Sequence, residues 1–157
     1  MSKNFIGLDT EKTAELADRM NELLSNYQIF YMNVRGYHWN IKGDNFFELH
    51  AKFEELYDDL LLKIDEIAER VLTLGHRPAH AYSTYIEKSD VPERKDVSDG
   101  KDAVENIVES FAKLIGKQRE LLHLANDSDD EGTVDLLSAY ISEQEKTVWM
   151  YRSYLGQ

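Results

Sequence analysis

Leu49, Phe53, Leu56, Leu60, Ile64, Ile67, Val71 and Leu74 follow one another at steps of three and four. Only an α-helix gathers such positions on one face, because its 3.6-residue turn aligns i, i+3, i+4 and i+7. Three other stretches repeat the pattern. The first runs from about Asp9 or Thr10, both suited to N-capping, to about Tyr37, with Leu16, Met20, Leu23, Tyr27, Phe30 and Val34 as its stripe. The third starts near Ser98-Asp99-Gly100 and carries Val104, Ile107, Phe111, Leu114, Gln118 and Leu121. The fourth follows the turn from Asp129 to Thr133 and carries Val134, Leu137, Ile141, Val148, Tyr151 and Leu155. Each helix would run about 20 to 30 residues, or about 30 to 45 Å. Two prolines and eight glycines in 157 residues leave little punctuation for a β fold. The expected class is all-α.

The connections choose the topology. Helices one and two meet across Lys42-Gly43-Asp44-Asn45, with Asp44 or Asn45 expected to cap the second, and helices three and four also meet at a short turn. Each pair should therefore form an antiparallel hairpin. Between the hairpins, after Gly75 and Pro78, lies a segment long enough to travel the length of a bundle, and AYSTYIEK within it could form a short extra helix. Two hairpins joined by one long crossover describe a ferritin-like four-helix bundle. We read residues 1–157 as one domain with a short N-terminal tail of about residues 1–8.

The second helix has another face. With His50 set at zero and about 100° per residue, the apolar stripe falls between roughly −120° and −40°, while Glu54, Asp58, Leu61, Asp65 and Glu69 fall between roughly +20° and +100°. Carboxylates four residues apart, such as Asp65 and Glu69, repel unless a cation lies between them. The plain alternative is a solvated acidic face, and for His38, which continues the stripe of the first helix, a hydrogen-bonded core histidine. Imidazole with carboxylate and no thiol is a ligand set suited to iron, manganese or zinc. His50 and Asp65 are fifteen residues apart on one helix. That is roughly 22 Å along its axis, so one ion cannot touch both. Two copies of the helix packed antiparallel about a two-fold axis would set residue 50 of one against residue 65 of the other. His50 and Glu54 would then meet the partner's Asp65 and Glu69 in two symmetric sites, with His38 close by. A di-iron site inside one bundle needs two Glu-x-x-His pairs. Only Glu120-Leu-Leu-His123 fits that pattern, and we treat it as a decoy.

The segment YHWNIKGDNFFELHAKFEELY, followed by DEIAERVLTLGHRP, closely resembles the signature of the Dps family, the DNA-binding proteins from starved cells or mini-ferritins, and EGTVDLLSAYISEQEKTVWMYRSYL resembles its last helix. The resemblance spans about Leu8 to Leu155. It implies a hollow dodecamer and a di-iron ferroxidase centre shared between two subunits. His38 and His50 match the family's histidine ligands, Asp65 and Glu69 the partner's carboxylates, and Glu54 a further acidic ligand. Trp39 and nearby tyrosines match aromatics that take up stray oxidising equivalents. The implied activity is oxidation of Fe(II), preferably by hydrogen peroxide, with ferric mineral stored inside. Glu55, Asp58 and Asp59 are candidates for the acidic inner wall, and Asp127, Asp129, Asp130 and Asp135 for an iron-entry pore, although Asp129 or Asp130 could equally be a helix cap.

A net charge of −12 opposes binding to a phosphate backbone. The first twelve residues hold two lysines against two acids, and the sequence stops at YRSYLGQ without a basic tail. DNA association, the alternative the family name raises, is therefore disfavoured. The absence of cysteine and of any long apolar run fits a cytoplasmic protein with no membrane segment.

Overall fold

The computed structural model describes residues 2–157. Four long helices, α1 (Thr10–Asn40), α2 (Phe46–Thr73), α4 (Gly100–Asp127) and α5 (Glu131–Tyr154), form the bundle, and a short α3 (Tyr82–Lys88) lies in the crossover. α1 packs on α2, on α3 and on α4, and α4 packs on α5. Among the described residues there is no strand beyond two isolated bridges, and no helix is long and apolar enough to cross a membrane. The fold class, the hairpins and the extra helix are as the sequence predicts.

Helix ends follow local chemistry. Asp9 caps α1 by accepting from the amides of Glu11 and Lys12, and Asp99 caps α4 through Asp102. At α2 the expected cap fails. Asn45 stands at the cap position in left-handed backbone, φ 62°, and its side chain accepts nothing. A tight turn after Gly43 sets that conformation, and asparagine tolerates it better than most residues. Gly75, φ 91°, ends α2 with the His76 amide donating back to Val71.

Apolar stripes of all four long helices fill the core, with Phe30 and Phe111 edge to face at 5.0 Å. Three asparagines of α1 hold the crossover. Asn21 accepts from Ala79 and donates to Arg77, Asn26 accepts from Asp90 and Val91, and Asn33 accepts from Arg94 and donates to Pro92. The segment expected to be a tail is folded back: Asn4 accepts from the amides of Ile6 and Leu8, its own amide group reaches the Leu74 carbonyl, and the Phe5 ring lies against Gly75.

Candidate metal centre

A ring of neutral side chains occupies the bundle's centre. Tyr27 donates to Gln118, Gln118 donates to Gln144 at 2.7 Å, and Gln144 donates to Tyr27 at 2.7 Å. The ring joins α1, α4 and α5, and all three residues are buried. Each member gives one hydrogen bond and takes one, so the three side chains hold one another in place across the core. Burial pushes the Tyr27 phenol far above its ordinary range, so it holds its proton. Beside the ring, Lys63 of α2 is buried between Asp59 at 2.7 Å and Glu143 at 3.1 Å, and Tyr140 donates to Glu66. Glu120 and His123 are exposed on the outside of α4, with Glu120 facing Arg19.

The histidines behave differently. His38, at the end of α1, and His50, on the first turns of α2, stack with ring centroids 3.8 Å apart and planes 10° from parallel. Nδ1 of His38 lies 2.6 Å from the carbonyl of His50, and Nδ1 of His50 lies 2.7 Å from the carbonyl of His38. A carbonyl can only accept, so each Nδ1 carries a proton, and the lone pair of a neutral ring would lie on Nε2. Metal-binding histidines are oriented in this way, by a hydrogen bond from the other ring nitrogen. Glu54 stands 3.7 Å from Nε2 of His38, and Phe46 stacks on His50.

Asp65 and Glu69 lie on the same face of α2, far from the histidines. Asp65 shares a hydrogen bond with Glu69, and this contact together with its charge raises the Glu69 carboxyl above the usual range. A carboxyl raised by folding binds its proton more tightly in the folded state, so it withdraws stability as pH rises through its titration. Asp65→Asn should therefore raise the melting temperature of metal-free protein at neutral pH, with the gain vanishing in acid, while weakening metal uptake. Thermal melts with and without metal would check the opposite signs.

Among the described residues, one chain brings no three His, Asp or Glu side chains into a metal-holding cluster. The predicted ligands fall into two groups, His38 with His50 and Glu54, and Asp65 with Glu69. Around His38 the sequence pointed to Trp39 and nearby tyrosines but not to Arg35. Tyr57 meets the His38 ring edge-on at 5.3 Å, and the Arg35 guanidinium stacks over Tyr31, Tyr57 and Trp39, closest to Trp39 at 4.8 Å. The i, i+4, i+8 spacing of Tyr31, Arg35 and Trp39 was the available signal.

The acidic residues sort themselves as well. Asp130 is no pore residue: it is buried, caps α5 through the Thr133 amide at 3.0 Å and pairs with Arg70 at 2.6 Å. Gly132 makes room for that pair, since a Cβ there would lie 2.7 Å from the guanidinium. Asp129 is exposed in left-handed backbone, the Asp127 carbonyl accepts from Lys12, and Asp135 lines an open cleft with Glu66, Glu69 and Arg70. Glu55 pairs with Lys52.

Relatives share this architecture. The Ferritin-like domain family matches residues 17–157. The Dps protein of Vibrio cholerae O1, described as a member of a broad superfamily of ferritin-like diiron-carboxylate proteins, superposes with a TM-score of 0.97 at 54% identity, covering 99% of this chain and 98% of that one. The chain belongs to the Dps family. A Dps relative from Porphyromonas gingivalis, named DNA protection during starvation protein, is 38% identical over 148 residues, 94% of this chain and 93% of that one. Dps of Listeria innocua, solved with two histidines changed to glycine, has a TM-score of 0.87 at 26% identity over 90% of this chain and 95% of that one. Those two histidines are as far apart in sequence as His38 and His50.

Proposed function

We propose that this Dps protein oxidises Fe(II) at centres shared between two subunits and stores the ferric product inside a hollow cytoplasmic dodecamer. The observation that carries the reading is the composition of the outward face of α2. Phe47, Leu61 and Leu72 are 80%, 49% and 55% exposed. By the helical wheel all three project between roughly +20° and +60°, within the stripe of Glu54, Asp65 and Glu69. Exposed apolar side chains interleaved with carboxylates suit a surface that another copy covers, because water gains nothing from the leucines and repulsion burdens the acids. An antiparallel copy of α2 would bring the carboxylate pair of one chain to the histidine pair of the other.

At such a centre His38 and His50 supply two neutral nitrogen donors, and Glu54 with the partner's Asp65 and Glu69 supplies oxygen donors, a set that suits ferrous iron. The substrate ions give one electron each to one hydrogen peroxide, which takes up two protons and leaves as two waters. Pairing the electrons avoids the hydroxyl radical of a one-electron step. Trp39, 57% exposed, and Tyr57 stand next to His38 to donate an electron should a radical escape. Asp58 lies on the seam side of α2, so Glu55 and Asp59 remain for the inner wall, each with a lysine partner. Charge supports the iron reading over nucleic-acid binding, because the chain carries −12.

Leu61→Glu tests the reading. It adds charge to the middle of the proposed seam at a residue outside the core. The expected result is a fall in native mass together with loss of iron uptake at unchanged helix content. An assembled, iron-loading variant would sink the shared-site reading.

A further inference from the structure

We infer that each shared centre is closed at its outer end by an apolar plug made of Phe47 from one subunit and Leu72 with Phe5 from the other. The inference rests on the antiparallel α2 pairing proposed above. The register that sets residue 50 opposite residue 65 sets Phe47 opposite Ala68 of the partner subunit and Leu72 opposite the partner's Gly43. Phe47 and the partner's Leu72 are then offset by four residues, about 6 Å along the axis. Helical side chains lean toward their own N-terminus. In antiparallel helices these two therefore lean toward each other and close that gap. Phe5 adds to the same end, because the N-terminal hook lays its ring against Gly75, just past Leu72.

The exposures support this occupant. Phe5 and Phe47 are each 80% exposed and Leu72 is 55% exposed. The two-fold axis would bring the start of α2 in one subunit to the end of α2 in the other, so a patch at each end covers the other twice per dimer. Phe47 directly follows Phe46, which stacks on His50 at 5.0 Å, so the plug sits about one turn beyond the histidines. Its chemical effect is to exclude water from one side of the centre, which strengthens the charge interactions inside.

The sequence contains no cysteine, so introduced thiols report unambiguously. Phe47→Cys with Leu72→Cys in one chain, treated with a short bis-maleimide, should give a denatured species of twice the 18.2 kDa chain mass. A bridge within one chain is excluded, since twenty-five helical residues span about 37 Å. Either single variant should remain at the chain mass. Asp58→Cys alone is the control for the pairing, because residue 58 lies within about 2 Å of the axis along the helix and meets its own copy. Cross-linking of both Asp58→Cys and the double variant supports the plug. Cross-linking of Asp58→Cys without the double variant overturns the plug and leaves the pairing intact. Failure of Asp58→Cys overturns the pairing and the plug together.

Discussion

His38→Ala combined with His50→Ala is expected to lower ferrous oxidation at limiting iron by at least about 100-fold, since removing even an outer-shell partner costs metal sites about 10- to 100-fold. The geometry makes the experiment clean. Each imidazole is anchored on the other residue's backbone carbonyl, not on its side chain. Truncating one ring therefore leaves the hydrogen bond that orients the other. Each single variant should consequently retain intermediate activity, down about 10-fold, with no collapse to the double-variant level. Anaerobic mixing with Fe(II) and peroxide, followed by ferric absorbance, gives the rates. Titration with Zn(II) reports binding without redox chemistry, and circular dichroism confirms the helices. A double variant that oxidises iron at the wild-type rate would remove the histidines from the site.

The largest stability loss is expected far from that chemistry, at Asp130. Its carboxylate serves three partners: the Thr133 amide, the Thr133 hydroxyl and the Arg70 guanidinium. Asp130→Ala would uncap α5 and strand a guanidinium that is 20% exposed. A lost cap costs about 1 kcal/mol, and breaking a buried pair from one side costs about 3 kcal/mol or more. For a chain of this size the apparent melting temperature should fall by about 10 °C. Asp130→Asn keeps an oxygen for the cap and should fall less. Asp135, which has no such partners, provides the contrast: Asp135→Asn should leave the melt near wild type. Equal melts for Asp130→Ala and wild type would contradict the structural role given to Asp130.

These two sites show where sequence reading stops. His38 and His50 were legible as candidate ligands because an imidazole pair beside a helix junction, followed by carboxylates at helical spacing, is a chemical pattern that one strand of text displays. Asp130 was not separable from Asp127, Asp129 and Asp135. Four acids within about nine residues look alike until the fold shows which of them faces Arg70, sixty residues away in sequence. Asn45 teaches the same lesson locally, since residue type placed the start of α2 correctly while backbone conformation denied its side chain the capping bond.

The sequence by itself determined the four helices and their hairpin pairing and supplied the two half-sets of proposed metal donors, because helical periodicity and ligand chemistry depend on neighbours within a few turns. Tertiary structure alone decided three things. It closed the bundle's centre with the Tyr27–Gln118–Gln144 ring, pinned the crossover to Asn21, Asn26 and Asn33, and fixed the tautomers of His38 and His50 through each other's carbonyls. Each of these joins groups on different elements, and hydrogen bonds of about 3 Å depend on distances that only the packed chain sets.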